Sequence, residues 1–270
     1  MHKFIIAGLF VLIFTGTHFS LNAQYTDTTR VIKPRKDSLR KPLINWNAAP
    51  AKRIFPYKSY LLPATFIIYG FLSLHTDAFQ DVNETIKEEV YTERSPHKIS
   101  LDNYLQYAPA VAVYGLNVAG IHGKNNFRDR TIIYGISSLI MGLTVNSVKS
   151  LTKETRPDGS DNLSYPSGHT STAFASAEFL WQEYKDVSPF YGIAGYAAAT
   201  ATAYLRISNN KHWMGDVVAG AGIGIISTKL TYWIYPAIKR KLFKNKDVRT
   251  IVMPTYQDKA LGLGLVHHFK

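Results

Sequence analysis

Long apolar stretches, separated by charged ones, are the feature that most limits what this chain can fold into. Segment 104–121 has no charged residue, and 131–148 has none before Lys149. A helix of that length is about 27 Å long, close to the hydrocarbon thickness of a bilayer. Further apolar stretches lie at about 60–74, 170–182, 189–205 and 213–235. The pattern predicts an all-α, membrane-type bundle of about six core helices. The alternative is a soluble all-helical protein with buried core helices.

The net charge of +12 raises the question of a polyanionic partner. Most of the positive excess lies in 24–58, 122–130 and 239–249, whereas 77–93 is acidic. Basic clusters that flank apolar helices are typical of membrane topology rather than nucleic-acid binding. We therefore expect no nucleic-acid partner. The absence of cysteine excludes a disulfide scaffold and a thiol nucleophile.

The two ends of the chain differ from its apolar middle. Residues 1–23 combine Lys3 with an apolar run and a small-residue site before Gln24, which predicts a cleaved signal peptide. An uncleaved first membrane helix is the alternative. Residues 24–58 form a basic polar linker, and 239–270 form a basic tail. Within that tail, Thr250–Met253 and Ala260–Val266 predict two short strands of a β-hairpin.

Charge also predicts the topology of the apolar segments. If the basic stretches 122–130 and 239–249 lie inside, then 77–93 and the loop 149–169 lie outside. The five apolar segments after residue 100 then alternate consistently as spans. A cleaved signal would leave the linker outside, so that 60–74 would be re-entrant or interfacial. If the linker lies inside, 60–74 spans the membrane instead.

Three polar clusters stand at the ends of the apolar segments, and they carry the chemistry. They are Lys149-x6-Arg156-Pro157, Pro166-Ser167-Gly168-His169 and Arg206-x5-His212-x3-Asp216. Because each cluster begins or ends an apolar segment, we expect all three to meet at one end of a helical bundle.

The residue types in these clusters favour an anionic ligand. Lys149, Arg156 and Arg206 are cations that would be costly to bury without a partner, and guanidinium groups match phosphate geometry. Ser167 and Gly168 stand where a loop enters a helix, and free amides at a helix start bind anions.

Two histidines add a means of catalysis. His212 and Asp216 are four residues apart, so on a helix they share a face, and the carboxylate would hold the imidazole in one tautomer. With His169 they surround the cationic cup, an arrangement that suits phosphoryl transfer through a histidine nucleophile with the second histidine as general acid. Each element alone has an ordinary structural explanation, and their joint occurrence is what is specific.

The three clusters resemble the signature of the type 2 phosphatidic acid phosphatase superfamily. This superfamily of lipid phosphate phosphatases includes bacterial acid phosphatases and vanadium haloperoxidases. The resemblance covers about residues 60–238 and identifies 59–238 as a phosphatidic acid phosphatase-like helical catalytic domain. Family members usually have a small residue where this chain has Leu205, a departure that affects no catalytic role.

The resemblance assigns a role to each residue of the clusters. It implies that His212 is the nucleophile that becomes a phosphohistidine, that Asp216 orients it, and that His169 protonates the leaving group. It also implies a phosphate-binding set: Lys149, Arg156, Ser167, Gly168 and Arg206.

The implied function is a metal-independent phosphoric monoester hydrolase, without a cofactor, that acts on a lipid phosphate or pyrophosphate. Candidate substrates are phosphatidic acid, phosphatidylglycerol phosphate, undecaprenyl pyrophosphate and lipid A phosphate. We expect membrane lipid as a partner and a place in the bacterial inner membrane, with the site facing the periplasm. The alternatives are a soluble periplasmic acid phosphatase, a vanadium haloperoxidase and, weakest, a non-enzymatic basic binder. The stretch 158–162 superficially suggests a calcium loop but lacks a closing glutamate, so we expect a plain turn.

Overall fold

The computed structural model describes residues 55–94, 97–243, 250–257 and 260–267. The predicted signal peptide and nearly all of the predicted linker therefore lie outside the described residues. The chain divides into two units, and the second unit, Pro63–Lys270, holds almost everything described. The helices are α1 (Lys58–His75), α2 (Asp77–Lys87), α3 (Asp102–Leu105), α4 (Ala108–Val118), α5 (Phe127–Thr152), α6 (Gly168–Tyr184), α7 (Pro189–Ser208) and α8 (Met214–Leu242), with one π-helical turn at Glu88–Thr92.

Helix α6 is the centre of the bundle, because most of its side chains are buried against α5, α7 and α8. Its many small residues let the neighbouring helices come close. A Cβ atom added at Gly220 would lie 2.7 Å from the Ser167 carbonyl oxygen, and one at Gly224 would lie 2.3 Å from that of Ser171. Glycine is thus required where α8 crosses α6. The all-α fold class predicted from the sequence is confirmed.

Helix α1 runs antiparallel to the first half of α8. A Cβ atom added at Gly222 would lie 2.5 Å from the Pro63 carbonyl oxygen, and one at Gly215 would lie 1.8 Å from Ser73 Oγ. The end of α1 therefore lies beside the start of α8. The apolar segment predicted at 60–74 is a helix packed along another helix of the bundle.

The prediction of one uninterrupted helix across 104–121 is wrong. The chain forms the short α3, turns at Gln106 and Tyr107, and continues as α4, which has only 11 residues. Pro109 explains the break, because it has no N–H to donate to the Leu105 carbonyl and its ring would clash with that group. At about 16 Å, α4 is too short to cross a bilayer by itself.

Two of the described helices are long and apolar enough to cross a membrane. They are α5, with 26 residues, and the stretch Met214–Lys241 of α8, with 28. Their charged ends meet away from the motif loops, since Asp129 at the start of α5 accepts a hydrogen bond from Tyr235 Oη at 2.9 Å and pairs with Lys239. The predicted tail boundary at 239 therefore lies within α8.

The end of the chain forms a separate pair of strands, β1 (Thr250–Gln257) and β2 (Ala260–His267). They pair antiparallel, from Thr250 opposite His267 to Gln257 opposite Ala260. This is the hairpin-like arrangement expected from the sequence, although β1 is longer than the four residues predicted for it.

Candidate active site

His212 and Asp216 lie together, but not on one helical face as their spacing predicts. His212 precedes α8, and Asp216 lies in the first turn of that helix. The carboxylate of Asp216 accepts the Trp213 N–H at 2.9 Å, and its Oδ2 lies 3.3 Å from His212 Nδ1. A carboxylate at a helix N-terminus is favoured by the helix dipole. Because Asp216 caps the start of α8, its carboxylate lies beside the His212 ring.

Ser164 completes this pair, and the sequence analysis missed it. Its hydroxyl donates to Asp216 Oδ2 and lies 3.4 Å from His212 Nδ1. All three side chains are almost fully buried. The hydroxyl and the Trp213 amide therefore hold the carboxylate on the Nδ1 side of the ring.

The other ring nitrogen of His212 faces a cation. His212 Nε2 lies 3.4 Å from Arg156 Nη1. Burial lowers the pKa of His212 well below its usual range, and the charges of Arg206, Lys149 and Arg156 lower that pKa further. At neutral pH the ring is uncharged, which leaves a lone pair on Nε2 when Nδ1 carries the proton.

Arg156 is held by the loop between the first two clusters. Its Nε donates to Asp161 Oδ1 at 2.7 Å, and its Nη1 donates to the Lys211 carbonyl at 3.3 Å. The loop turns at Gly159, whose φ of +68° is one that glycine adopts readily. Asp158 pairs with Lys211 in the same region. The stretch 158–162 is thus a turn, as expected, and its two aspartates hold the neighbouring cations.

Lys149 and Arg206 approach from two helix ends. Lys149 Nζ, in the last turn of α5, donates to the Leu163 carbonyl and to the Ser164 carbonyl at 3.1 Å. Arg206, near the end of α7, donates from Nη1 to Asp102 Oδ2 at 2.6 Å. Its buried Nε has no hydrogen-bond partner among the residues that the structure describes. A buried guanidinium with a spare donor is suited to an anionic ligand.

The start of α6 supplies backbone donors. Ser167 is the N-cap, and its Oγ accepts from Thr170 Oγ1 at 3.0 Å. Within the described part of the chain, the Gly168 and His169 amides have no hydrogen-bond acceptor. The Ser167 amide donates to the Asp216 carbonyl at 3.0 Å, which ties this helix start to α8. Free amides at a helix N-terminus are suited to binding an anion.

His169, the second residue of α6, faces a residue that the sequence analysis did not single out. Its Nε2 lies 2.9 Å from Asn103 Oδ1. Burial lowers the pKa of His169 to about 4, and the positive charge of Arg206 adds to that effect. The negative charge of Asp102 opposes it.

The structure brings all three clusters to one end of the bundle, as the sequence analysis expected. It adds Asp102, Asn103 and Ser164, which lie outside the clusters or in their spacers. These residue types are common in loops, so the only signal that pointed to them was their closeness to cluster residues or helix ends. In the described ranges, no group of three or more His, Asp or Glu side chains is placed to hold a metal ion.

Comparisons with known proteins agree with these clusters. Residues 130–240 match the PAP2 superfamily. The chain is 37% identical over 161 residues to a lipid A 1-phosphatase of Porphyromonas gingivalis, a match that covers 59% of this chain and 36% of that protein. It is 25% identical over 184 residues to the bacitracin transport permease protein BcrC of Bacillus licheniformis, which covers 63% of this chain and 84% of that protein.

Among solved structures, a transmembrane PAP2-type phosphatidylglycerolphosphate phosphatase from Bacillus subtilis matches this chain with 19% identity and a TM-score of 0.45. The match covers 66% of this chain and 98% of that one. The chain spans only about a third of the lipid A 1-phosphatase that it matches.

Proposed function

We propose that the chain, whose residues 130–240 match the PAP2 superfamily, is a metal-independent phosphatase of a lipid phosphate or pyrophosphate. The observation that carries the proposal is the environment of His212. Its Nδ1 is held by Asp216 at 3.3 Å, while its Nε2 faces the Arg156 guanidinium at 3.4 Å. A nucleophilic nitrogen beside a phosphate-binding cation is what in-line attack on phosphorus needs.

The first step is transfer of the phosphoryl group to the enzyme. His212 Nε2 forms a bond to phosphorus while the bond from phosphorus to the leaving-group oxygen breaks. His169 in its imidazolium form gives a proton to that oxygen and becomes neutral, so the lipid leaves as an alcohol or, from a pyrophosphate, as a monophosphate. Asp216 stabilises the positive charge that develops on the His212 ring.

The second step releases phosphate. A water molecule attacks the phosphohistidine, the N–P bond breaks, and His169 takes the proton of the water. Negative charge on the phosphoryl oxygens is stabilised by one set of donors: Lys149, Arg156, Arg206, the Ser167 hydroxyl and the Gly168 amide.

Two observations favour a lipid substrate. The first is the relationship to a lipid A 1-phosphatase over 161 residues. The second is that α5 and α8, both apolar enough to cross a membrane, reach the site with one end. If the substrate phosphate binds at that end of the bundle, the attached lipid chains would lie in the bilayer.

The charged ends of the same two helices support a proposal for the orientation of the site. Arg128 lies at the start of α5, and Lys239, Arg240 and Lys241 lie at the end of α8, so these cations share the end opposite the site. Basic residues favour the cytoplasmic side. We therefore place the site on the periplasmic side of the inner membrane.

Phosphate release from a panel of substrates tests the proposal. The full chain, purified in detergent with a chelator present, is given lipid A phosphate, phosphatidic acid, phosphatidylglycerol phosphate, undecaprenyl pyrophosphate and p-nitrophenyl phosphate. We expect hydrolysis of at least one lipid, with acid-labile labelling of the enzyme by ³²P, and loss of both in His212→Ala.

His122→Ala is the matched control, because His122 is exposed in the loop between α4 and α5, at the far end of the bundle. It should keep wild-type activity. Full activity in His212→Ala would refute the histidine nucleophile. Activity on p-nitrophenyl phosphate alone, in a protein released without detergent, would favour the soluble acid phosphatase instead.

A further inference from the structure

The short helix α3 contacts two residues of the site at once. Asp102 pairs with Arg206 from the third cluster, and the next residue, Asn103, contacts His169 from the second. Neither Asp102 nor Asn103 is itself a member of the phosphate-binding set or the proposed nucleophile. Consecutive residues of one element thus set the positions of a phosphate-binding cation and of the proposed general acid.

Helix α3 is fixed to the end of α7 that carries Arg206. The Ile99 amide donates to Asn209 Oδ1 at 3.0 Å, and Asn209 Nδ2 donates to the Ile99 carbonyl at 2.8 Å. The helix break forced by Pro109 lets α3 leave the direction of α4. The break between α3 and α4, which replaces the uninterrupted helix expected across 104–121, therefore allows α3 to reach the site.

Asp102 is the buried counter-ion of Arg206. Its side chain is 2% exposed, and the two groups are 2.6 Å apart. A charge-assisted bond of this length holds the guanidinium in one orientation. In that orientation Nη1 donates to the carboxylate, while the N–H at Nε has no acceptor in the described part of the chain.

Asn103 presents its carbonyl oxygen to His169 Nε2 at 2.9 Å. A carbonyl accepts but never donates, so this contact favours a ring that carries its proton on Nε2. Several charged or titratable groups surround His169: Arg206 from α7, Asp102 from α3, Lys149 from α5, and Arg156 and His212 from the loops. The cations outnumber the single carboxylate and oppose protonation of the ring.

We propose that Asp102 and Asn103 are positioning residues, Asp102 for the Arg206 guanidinium and Asn103 for the ring and tautomer of His169. The inference rests on the proposed function, because it concerns the same phosphoryl transfer. Neither residue is required to touch the phosphate. Each acts through the side chain that it holds.

Asn103 variants test the second half. Asn103→Ala should lower kcat about 10- to 100-fold, which is part of the effect that general acid catalysis usually contributes, and leave KM within about twofold. Loss of the acceptor should also move the alkaline limb of the kcat profile to lower pH. Asn103→Asp keeps an acceptor and adds a negative charge that favours the protonated ring, so it should move that limb to higher pH.

Asp102→Asn tests the first half while preserving side-chain volume. Loss of the charge-assisted bond frees the Arg206 guanidinium, so the inhibition constant of inorganic phosphate should rise about tenfold. Two variants serve as controls. Asn117→Ala in α4 controls for the loss of an asparagine side chain, and Tyr104→Phe controls for a change at an exposed residue of α3. Both should keep wild-type kcat, pH profile and phosphate inhibition.

A spectroscopic readout separates this inference from the proposed function. Ring ¹⁵N shifts of labelled histidine, with His169 assigned by His169→Gln, report the tautomer whether or not a substrate is turned over. We expect an Nε2-protonated His169 in the wild type at pH 7 and loss of that preference in Asn103→Ala. An unchanged tautomer in Asn103→Ala overturns the role of Asn103, even if His212→Ala abolishes activity. An unchanged phosphate inhibition constant in Asp102→Asn overturns the role of Asp102.

Discussion

The hydroxyl of Ser164 offers a sharp test of how the nucleophile is held. The Ser164 hydroxyl donates to Asp216 Oδ2 on the Nδ1 side of His212, whereas the backbone carbonyl of the same residue accepts from Lys149. Replacing it with alanine removes one donor from a buried carboxylate and leaves the Trp213 amide and the His212 ring in place. The substitution therefore weakens the orientation of Asp216 without touching a phosphate ligand.

The magnitude follows from the kind of bond that is lost. A hydrogen bond to a charged group contributes about 1.5–3 kcal/mol. Each 1.4 kcal/mol of transition-state stabilisation corresponds to about a factor of ten in rate. Because Asp216 is needed most when positive charge develops on His212, most of this loss should appear in kcat. We expect Ser164→Ala to lower kcat about 10- to 100-fold and to change KM by less than about threefold.

Steady-state kinetics on the best lipid substrate measures the effect, with thermal unfolding in the same detergent as a check on folding. Ser227→Ala is the matched control, since Ser227 is also buried and its hydroxyl donates to the Ile223 carbonyl within α8, at 2.8 Å. It should keep wild-type kcat. Wild-type kcat in Ser164→Ala, or an equal loss in both variants, would refute the reasoning.

Two further predictions concern cations at opposite ends of the bundle. Arg156→Lys keeps the charge but loses the guanidinium that bonds to Asp161 at 2.7 Å and to the Lys211 carbonyl, so KM should rise about tenfold. The control variant Arg128→Lys should leave the kinetics unchanged. An unaltered KM in Arg156→Lys would contradict this role of the guanidinium. Glu183→Ala removes the buried carboxylate that lies 3.7 Å from Arg130, so the free energy of unfolding should fall by about 3–5 kcal/mol. The variant should therefore have a lower Tm, and an unchanged Tm would contradict this prediction.

The convergence of the three clusters could be predicted because it depends on helix ends. Lys149, Gly168 and Arg206 stand where apolar periodicity stops, and the apolar segments allow few arrangements other than a bundle. The spacing of His212 and Asp216 also predicts their contact correctly. The spacing predicts the wrong local structure, because residues four apart can meet at a capped helix start as well as on one face of a helix.

The contacts made by α3 could not be predicted in the same way. Pro109 lies within the apolar segment 104–121, but a prediction based on hydropathy takes no account of the backbone N–H that proline lacks. Asp102 and Asn103 follow one another in a polar stretch, where such residues usually face water. Their burial against Arg206 and His169 depends on how far α3 turns away from α4, which is a tertiary property.

The positive charge of the chain therefore has two separate uses at two ends of one bundle. At the far end, Lys239 and Arg128 share Asp129, and the buried Arg130 meets Glu183, so each of these three cations lies against a carboxylate of the protein. At the site end, Lys149 bonds to backbone carbonyls, which accept its donors but do not cancel its charge. Among the described residues, Arg206 Nε has no hydrogen-bond partner, although Nη1 of the same guanidinium pairs with Asp102. Buried cationic donors without an anionic partner favour an anion that binds from outside. The spare donors of Lys149 and Arg206, rather than the total charge, therefore distinguish the site from the far end of the bundle.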